Sequence, residues 1–111
     1  MPNISTYKDE GEAYAQIKEA GYHAVELDFP AVENDFHWHD FESLIFITKG
    51  ELTLIEQDSG ETTTCGPGAK IIGAPGLVHR ELSEGYSAIL GLSAAPDALS
   101  QPIDKPLPVT L

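Results

Sequence analysis

Apolar residues in the first part of the chain recur at helical spacing, with Tyr7, Tyr14, Ile17 and Gly21 on one stripe. Thr6, followed three residues later by Asp9, has the spacing of a capping box, and Gly21 is a natural stop. The pattern predicts one helix over residues 7–20, weakened by Gly11, since an interior Gly costs about 1 kcal/mol against Ala. From Tyr22 onward the period changes to short apolar or alternating runs broken by turn residues roughly every 8–12 positions. These runs predict strands over 23–29, 36–39, 43–48, 51–57, 62–65, 70–72, 79–82 and 86–92. Gly50, Gly60, Gly68, Gly76 and Gly85 punctuate them, each able to take positive φ in a turn. Without a second long helical stretch, βαβ units and a parallel sheet are disfavoured, and an antiparallel sandwich or barrel is expected. Four of the eight prolines, Pro96, Pro102, Pro106 and Pro108, come after Leu92. The expected organisation is one domain: a helical segment over 1–21, a β-barrel over 22–93, and an extended arm over 94–111 that lies on the barrel or on a partner subunit.

Composition narrows the partners. Among 111 residues, 6 Lys and Arg stand against 18 Asp and Glu, for a net charge of −12. A chain of this length buries roughly two-thirds of its unfolded surface, sufficient for one core without disulfides. Phosphate recognition needs clustered basic residues, so nucleic acid and anionic membrane are not expected partners. No stretch approaches the roughly 18 apolar residues of a membrane span, and the start has neither a basic n-region nor an apolar h-region. A soluble, cytoplasmic protein is expected. Cys65 is the only cysteine, which excludes an intrachain disulfide and suits a reducing compartment. With no basic residue beside it, it reads as a small buried apolar side chain.

Two of the four histidines form His37-Trp38-His39. In a strand, positions i and i+2 share a face, so both imidazoles project to one side and can chelate one cation. By itself the signal is weak, because surface His-x-His pairs arise by chance and are the commoner case. Support comes from residues farther along the chain: Glu42, Gly50, then Gly66-Pro67-Gly68, then Pro75-Gly76-Leu77-Val78-His79. In this order of residues the chain resembles the cupin superfamily, whose first motif is His-x-His, a Glu and a Gly, and whose second is a Pro/Gly turn leading to a third His. The resemblance implies an all-β jelly-roll barrel (double-stranded β-helix) with one short N-terminal helix and an extended C-terminal tail. It places His37, His39 and His79 on the three metal histidines, Gly50 on the first-motif Gly, and Gly68 and Gly76 on the second-motif glycines. The sequence departs from the pattern at several places. The family's Glu falls at Ser43, one residue after Glu42, and a one-residue shift in a regular strand turns a side chain to the other face unless a bulge re-aims it. Ala69 stands where Asp is usual, Pro75 is displaced by one, Ser83 replaces the frequent Asn, and Ala31 the opening Gly.

The resemblance implies one divalent transition metal, Fe, Mn, Ni, Zn or Cu, held by the three histidines either with Glu42 or with water completing the shell. Ser43, Phe46 and Tyr86 are candidates to line the cavity, whereas His23 reads as a surface or edge histidine. The expected function is a mononuclear metalloenzyme acting on a small oxygenated or thiol-bearing molecule by dioxygenase, isomerase or lyase chemistry. The alternative is a non-catalytic module that binds or senses a metal or small molecule. No residue in the pattern stands out as an acid or base. Family resemblance and sheet edges that need covering also point to a homodimer.

Overall fold

The alternating runs resolve into two antiparallel sheets facing each other. The computed structural model describes residues 3–111, so the first two positions of the expected N-terminal segment lie outside the described residues. Its elements are β1 (Asn3–Thr6), α1 (Glu10–Ala20), β2 (His23–Phe29), β3 (Val32–Glu33), β4 (Ser43–Gly50), β5 (Leu52–Glu56), β6 (Thr62–Cys65), β7 (Ala69–Gly73), β8 (His79–Ser83) and β9 (Tyr86–Leu92). One sheet has the order β1-β7-β4-β9-β2 and the other β3-β8-β5-β6. Alternation decides what each strand buries. On β4 and β9, Ile47, Tyr86 and Ala88 point between the sheets and pack with Leu52, Leu54, Cys65 and Ile71. Leu44, Phe46 and Ile89 point the opposite way and bury Ala13 and Ile17 of α1 against the outer face of the five-stranded sheet.

The helix starts later than its periodicity predicts. Asp9 is the N-cap, its carboxylate accepting the Glu12 amide at 2.9 Å, while Thr6 ends β1. Two carboxylates, Glu10 and Glu12, occupy the first turn, where the helix dipole favours negative charge. At its far end Gly21 takes φ 74° and donates to the Ile17 and Lys18 carbonyls, closing a left-handed cap. Gly91 lets the helix approach the sheet: a Cβ there would stand 2.7 Å from Ile17 Cγ1. At the β4–β5 turn, a Cβ on Gly50 (φ 73°) would stand 2.3 Å from the Gly85 carbonyl oxygen.

Residues 36–39 do not form the expected strand. His37 bridges to His79 on β8, and Trp38 bridges to Lys105 of the C-terminal arm, so two different neighbours hold one residue each and no ladder develops. The arm itself, after a single 3-10 turn at Pro96–Ala98, folds back across one end of its own barrel.

Candidate metal centre

Three imidazoles and a carboxylate converge at that end. One ligand-type atom from each of His37, His39, His79 and Glu81 lies within 4.8 Å of the other three. Reciprocal backbone bonds between His37 and His79, at 2.9 and 3.0 Å, set the first two rings side by side with centroids 4.5 Å apart. Positions 37 and 39 share a face, as do 79 and 81 on β8, which brings His39 and Glu81 into the same space. The His39 ring lies 5.0 Å from that of His37 and 5.2 Å from that of His79.

Each ring is oriented through Nδ1. His37 Nδ1 bonds the Asp35 carbonyl at 2.8 Å, His39 Nδ1 the Ile103 carbonyl at 2.9 Å, and His79 Nδ1 the Leu77 carbonyl at 3.0 Å. A carbonyl accepts only, so Nδ1 carries the proton and Nε2 of the neutral ring presents a lone pair. For His37 that lone pair is buried, has no hydrogen-bond partner among the described groups, and faces Glu81 Oε1 at 3.3 Å. Two acceptors at this separation need a cation between them, either a proton or a metal ion. The chemistry of the set, three imidazole nitrogens and one carboxylate with the outer nitrogens held by carbonyls, fits a first-row divalent ion. Without the ion, the proton alternative shows in the charges. Burial opposes a charge on His37, yet Glu81, the Asp35 carbonyl and Asp104 outweigh it and raise its pKa above 6.5. Burial lowers that of His79, helped by the neighbouring imidazoles. For Glu81, burial is again the largest influence and pushes upward, but the histidines around it overcome burial and hold the carboxylate below the ordinary range.

The carboxylate in the cluster is therefore Glu81 and not Glu42. Ser43, Ile45 and Ile47 take the inward positions of β4, so Glu42, one residue before Ser43, faces the helix side. There the Tyr22 hydroxyl donates to its Oε1 at 2.7 Å, and no bulge re-aims it. The β4 irregularity falls farther along, between Ile47 and Lys49. Phe46 is likewise turned away from the cavity by alternation and packs edge-on against Tyr7, with centroids 5.1 Å apart. Ser43 and Tyr86 do line the cavity. The Tyr86 phenol interacts with Glu81, and burial raises its pKa further than that contact does. His23 is exposed, and Cys65 is buried, with burial raising its thiol pKa. Sequence reasoning missed Glu81, although His79-Arg80-Glu81 carries the same i, i+2 signal as His37-Trp38-His39. It also missed Asp104, on the arm, whose Oδ1 lies 3.8 Å from His37 Nε2 and 3.7 Å from His39 Nδ1.

The cluster forms one end of a cavity of about 410 Å³ between the sheets. Aliphatic and aromatic side chains line most of it, among them Val25, Leu27, Phe29, Ile45 and Leu90, and His39, His79, Glu81 and Asp104 are among its few polar groups. Pro96, Leu99 and Ile103 of the arm complete the wall.

No protein-family model matches the chain, and no curated protein matches its sequence. Solved structures do. A DUF861 family protein from Thermotoga maritima superposes with a TM-score of 0.63 at 15% identity, covering 83% of this chain and 99% of its own. A cupin-2 domain containing protein from Shewanella frigidimarina gives 0.54 at 14%, covering 86% and 80%. A polyketide cyclase from Streptomyces resistomycificus gives 0.54 at 19%, covering 86% and 67%. At these identities the likeness speaks for the fold. Two facing antiparallel sheets, a helix packed outside one of them and three histidines at one end of the cavity between them make this chain a small domain of the cupin fold.

Proposed function

We propose that His37, His39, His79 and Glu81 hold one divalent transition metal, and that the protein is a metalloenzyme acting on a small, largely apolar molecule that presents an oxygen or sulfur donor. The observation that carries the reading is the buried Nε2 lone pair of His37 facing Glu81 Oε1 at 3.3 Å, an arrangement a cation between them resolves. When bound, such an ion supplies Lewis-acid or redox chemistry at its open positions. The cavity fits the rest of the substrate: its mostly apolar walls favour an apolar body, while the histidine and carboxylate groups offer the donor a place to bind. The polyketide cyclase among the structures of this fold is an example of an enzyme built on it.

The test has two stages. Elemental mass spectrometry of tag-free protein purified without chelators should find near one metal per chain, lost in the His37→Ala, His79→Ala double variant. The loaded protein is then offered flavonols, enediols, thiols and small dicarboxylates. Consumption of an apolar oxygen- or sulfur-bearing compound, abolished in the variant, is the expected result. A chain that takes up none of Fe, Mn, Ni, Zn or Cu overturns the metal reading, and stoichiometric binding without turnover of any class overturns the enzymatic one.

A further inference from the structure

Several residues of the C-terminal arm meet the barrel at the metal-ligand segment. Trp38, between the two histidines, donates its backbone N–H to the Lys105 carbonyl at 3.2 Å and accepts the Lys105 amide at 2.9 Å. Its indole Nε1–H donates to the Pro106 carbonyl at 2.9 Å. The ring of His39 is oriented by the Ile103 carbonyl, whereas His37 and His79 are oriented by carbonyls two residues before them in their own segments. Lys105 Nζ gathers the loop around itself, donating to the Pro102 carbonyl at 2.9 Å and the Ser100 carbonyl at 3.3 Å, with Asp40 at 3.9 Å. Asp104, the residue before Lys105, stands beside the imidazoles, 3.8 Å from His37 Nε2.

Resting on the metal reading above, we propose that the C-terminal arm is a working part of the metal centre: Ile103 orients His39, Asp104 sets a further carboxylate beside the imidazoles, and metal binding and arm docking strengthen each other. Asp104 is not one of the four converging groups, so it acts as an outer partner, a positioning residue rather than a ligand. Electrostatics gives it a part there. Neutral imidazoles leave a divalent ion's charge uncancelled, Glu81 offsets half of it, and a second carboxylate close by offsets the rest. Coupling arises by linkage. If the docked arm raises affinity for the ion, the bound ion holds the arm docked by the same factor. A neutral centre at the end of an apolar cavity also matches a substrate that carries no charge.

Co(II) titration monitored by visible absorption, together with amide hydrogen exchange at Lys105 with and without Co(II), tests the inference on the full chain. Asp104 has a side chain 58% exposed, so Asp104→Asn should fold normally, which urea unfolding of the metal-free proteins checks. The expected result is a dissociation constant about 10–100-fold higher in Asp104→Asn, restored largely by Asp104→Glu, and at least about tenfold slower Lys105 exchange in wild-type protein once Co(II) is bound. Unchanged affinity in Asp104→Asn, or Lys105 exchange indifferent to Co(II) while Co(II) binds, overturns the inference and leaves the metal reading standing. Failure of wild-type protein to bind Co(II) at all removes both.

Discussion

His37 is where the demands of the site meet. Its Nδ1 proton is committed to the Asp35 carbonyl, and its Nε2 must share a buried space with Glu81. In the metal-free protein, burial disfavours its charge, but Glu81 and the carbonyl outweigh burial and raise the pKa above 6.5. A folded pKa above the unfolded one stabilises the metal-free fold fully below the ordinary histidine pKa, and this contribution fades as pH rises through the folded value. Metal binding needs the deprotonated ring, so affinity should still be climbing with pH above 6.5. Dissociation constants for Zn(II) across the neutral range check this; affinity that levels off already near about pH 6 contradicts it. The spacing of two suggested the His37–His39 pair, and the resemblance to the cupin motifs added His79. The carboxylate was not, because the family's first motif directs attention to Glu42, although the period of two that pairs His37 with His39 also pairs His79 with Glu81 and turns Glu42 outward.

At the scale of elements, strands read more clearly than their ends or the helix start. β2, β6 and β9 match the expected runs because turn glycines bound them, whereas β1 and β3 are short edge strands of four and two residues that tertiary pairing alone defines. The apolar stripe misplaces the helix start: Tyr7 falls on the apolar face but lies before the cap, its hydroxyl donating to the Ile47 carbonyl. Asp9→Ala removes the acceptor for the Glu12 amide and should cost about 0.5–2 kcal/mol in urea unfolding. Thr6→Ala should cost less, since Thr6 caps nothing; the reverse order would contradict the assignment. Gly91→Ala should cost about 1–3 kcal/mol, because its methyl meets the stiff β-branched side chain of Ile17. A neutral Gly91→Ala would show that the helix is free to shift off the sheet.

For the whole molecule, the barrel, helix and arm act together on one cavity. The five-stranded sheet is covered outside by α1 and contributes aliphatic wall inside; the other sheet, through β8, contributes His79 and Glu81; the arm closes the histidine end. An antiparallel sandwich or barrel was legible from strand count and turn spacing, and the jelly roll from the resemblance to the cupin superfamily. The arm's path was not, since proline content predicts an extended chain but not the bridge to Trp38 that steers it. Among the described residues, no helix is long and apolar enough to cross a membrane. The central claim, that Glu81 completes a metal site of three histidines, is tested most directly by metal stoichiometry in Glu81→Gln and Glu42→Gln, prepared side by side and measured by elemental mass spectrometry after dialysis. The account predicts near one metal per chain in Glu42→Gln and a substoichiometric content in Glu81→Gln; full occupancy in Glu81→Gln with loss in Glu42→Gln would contradict it.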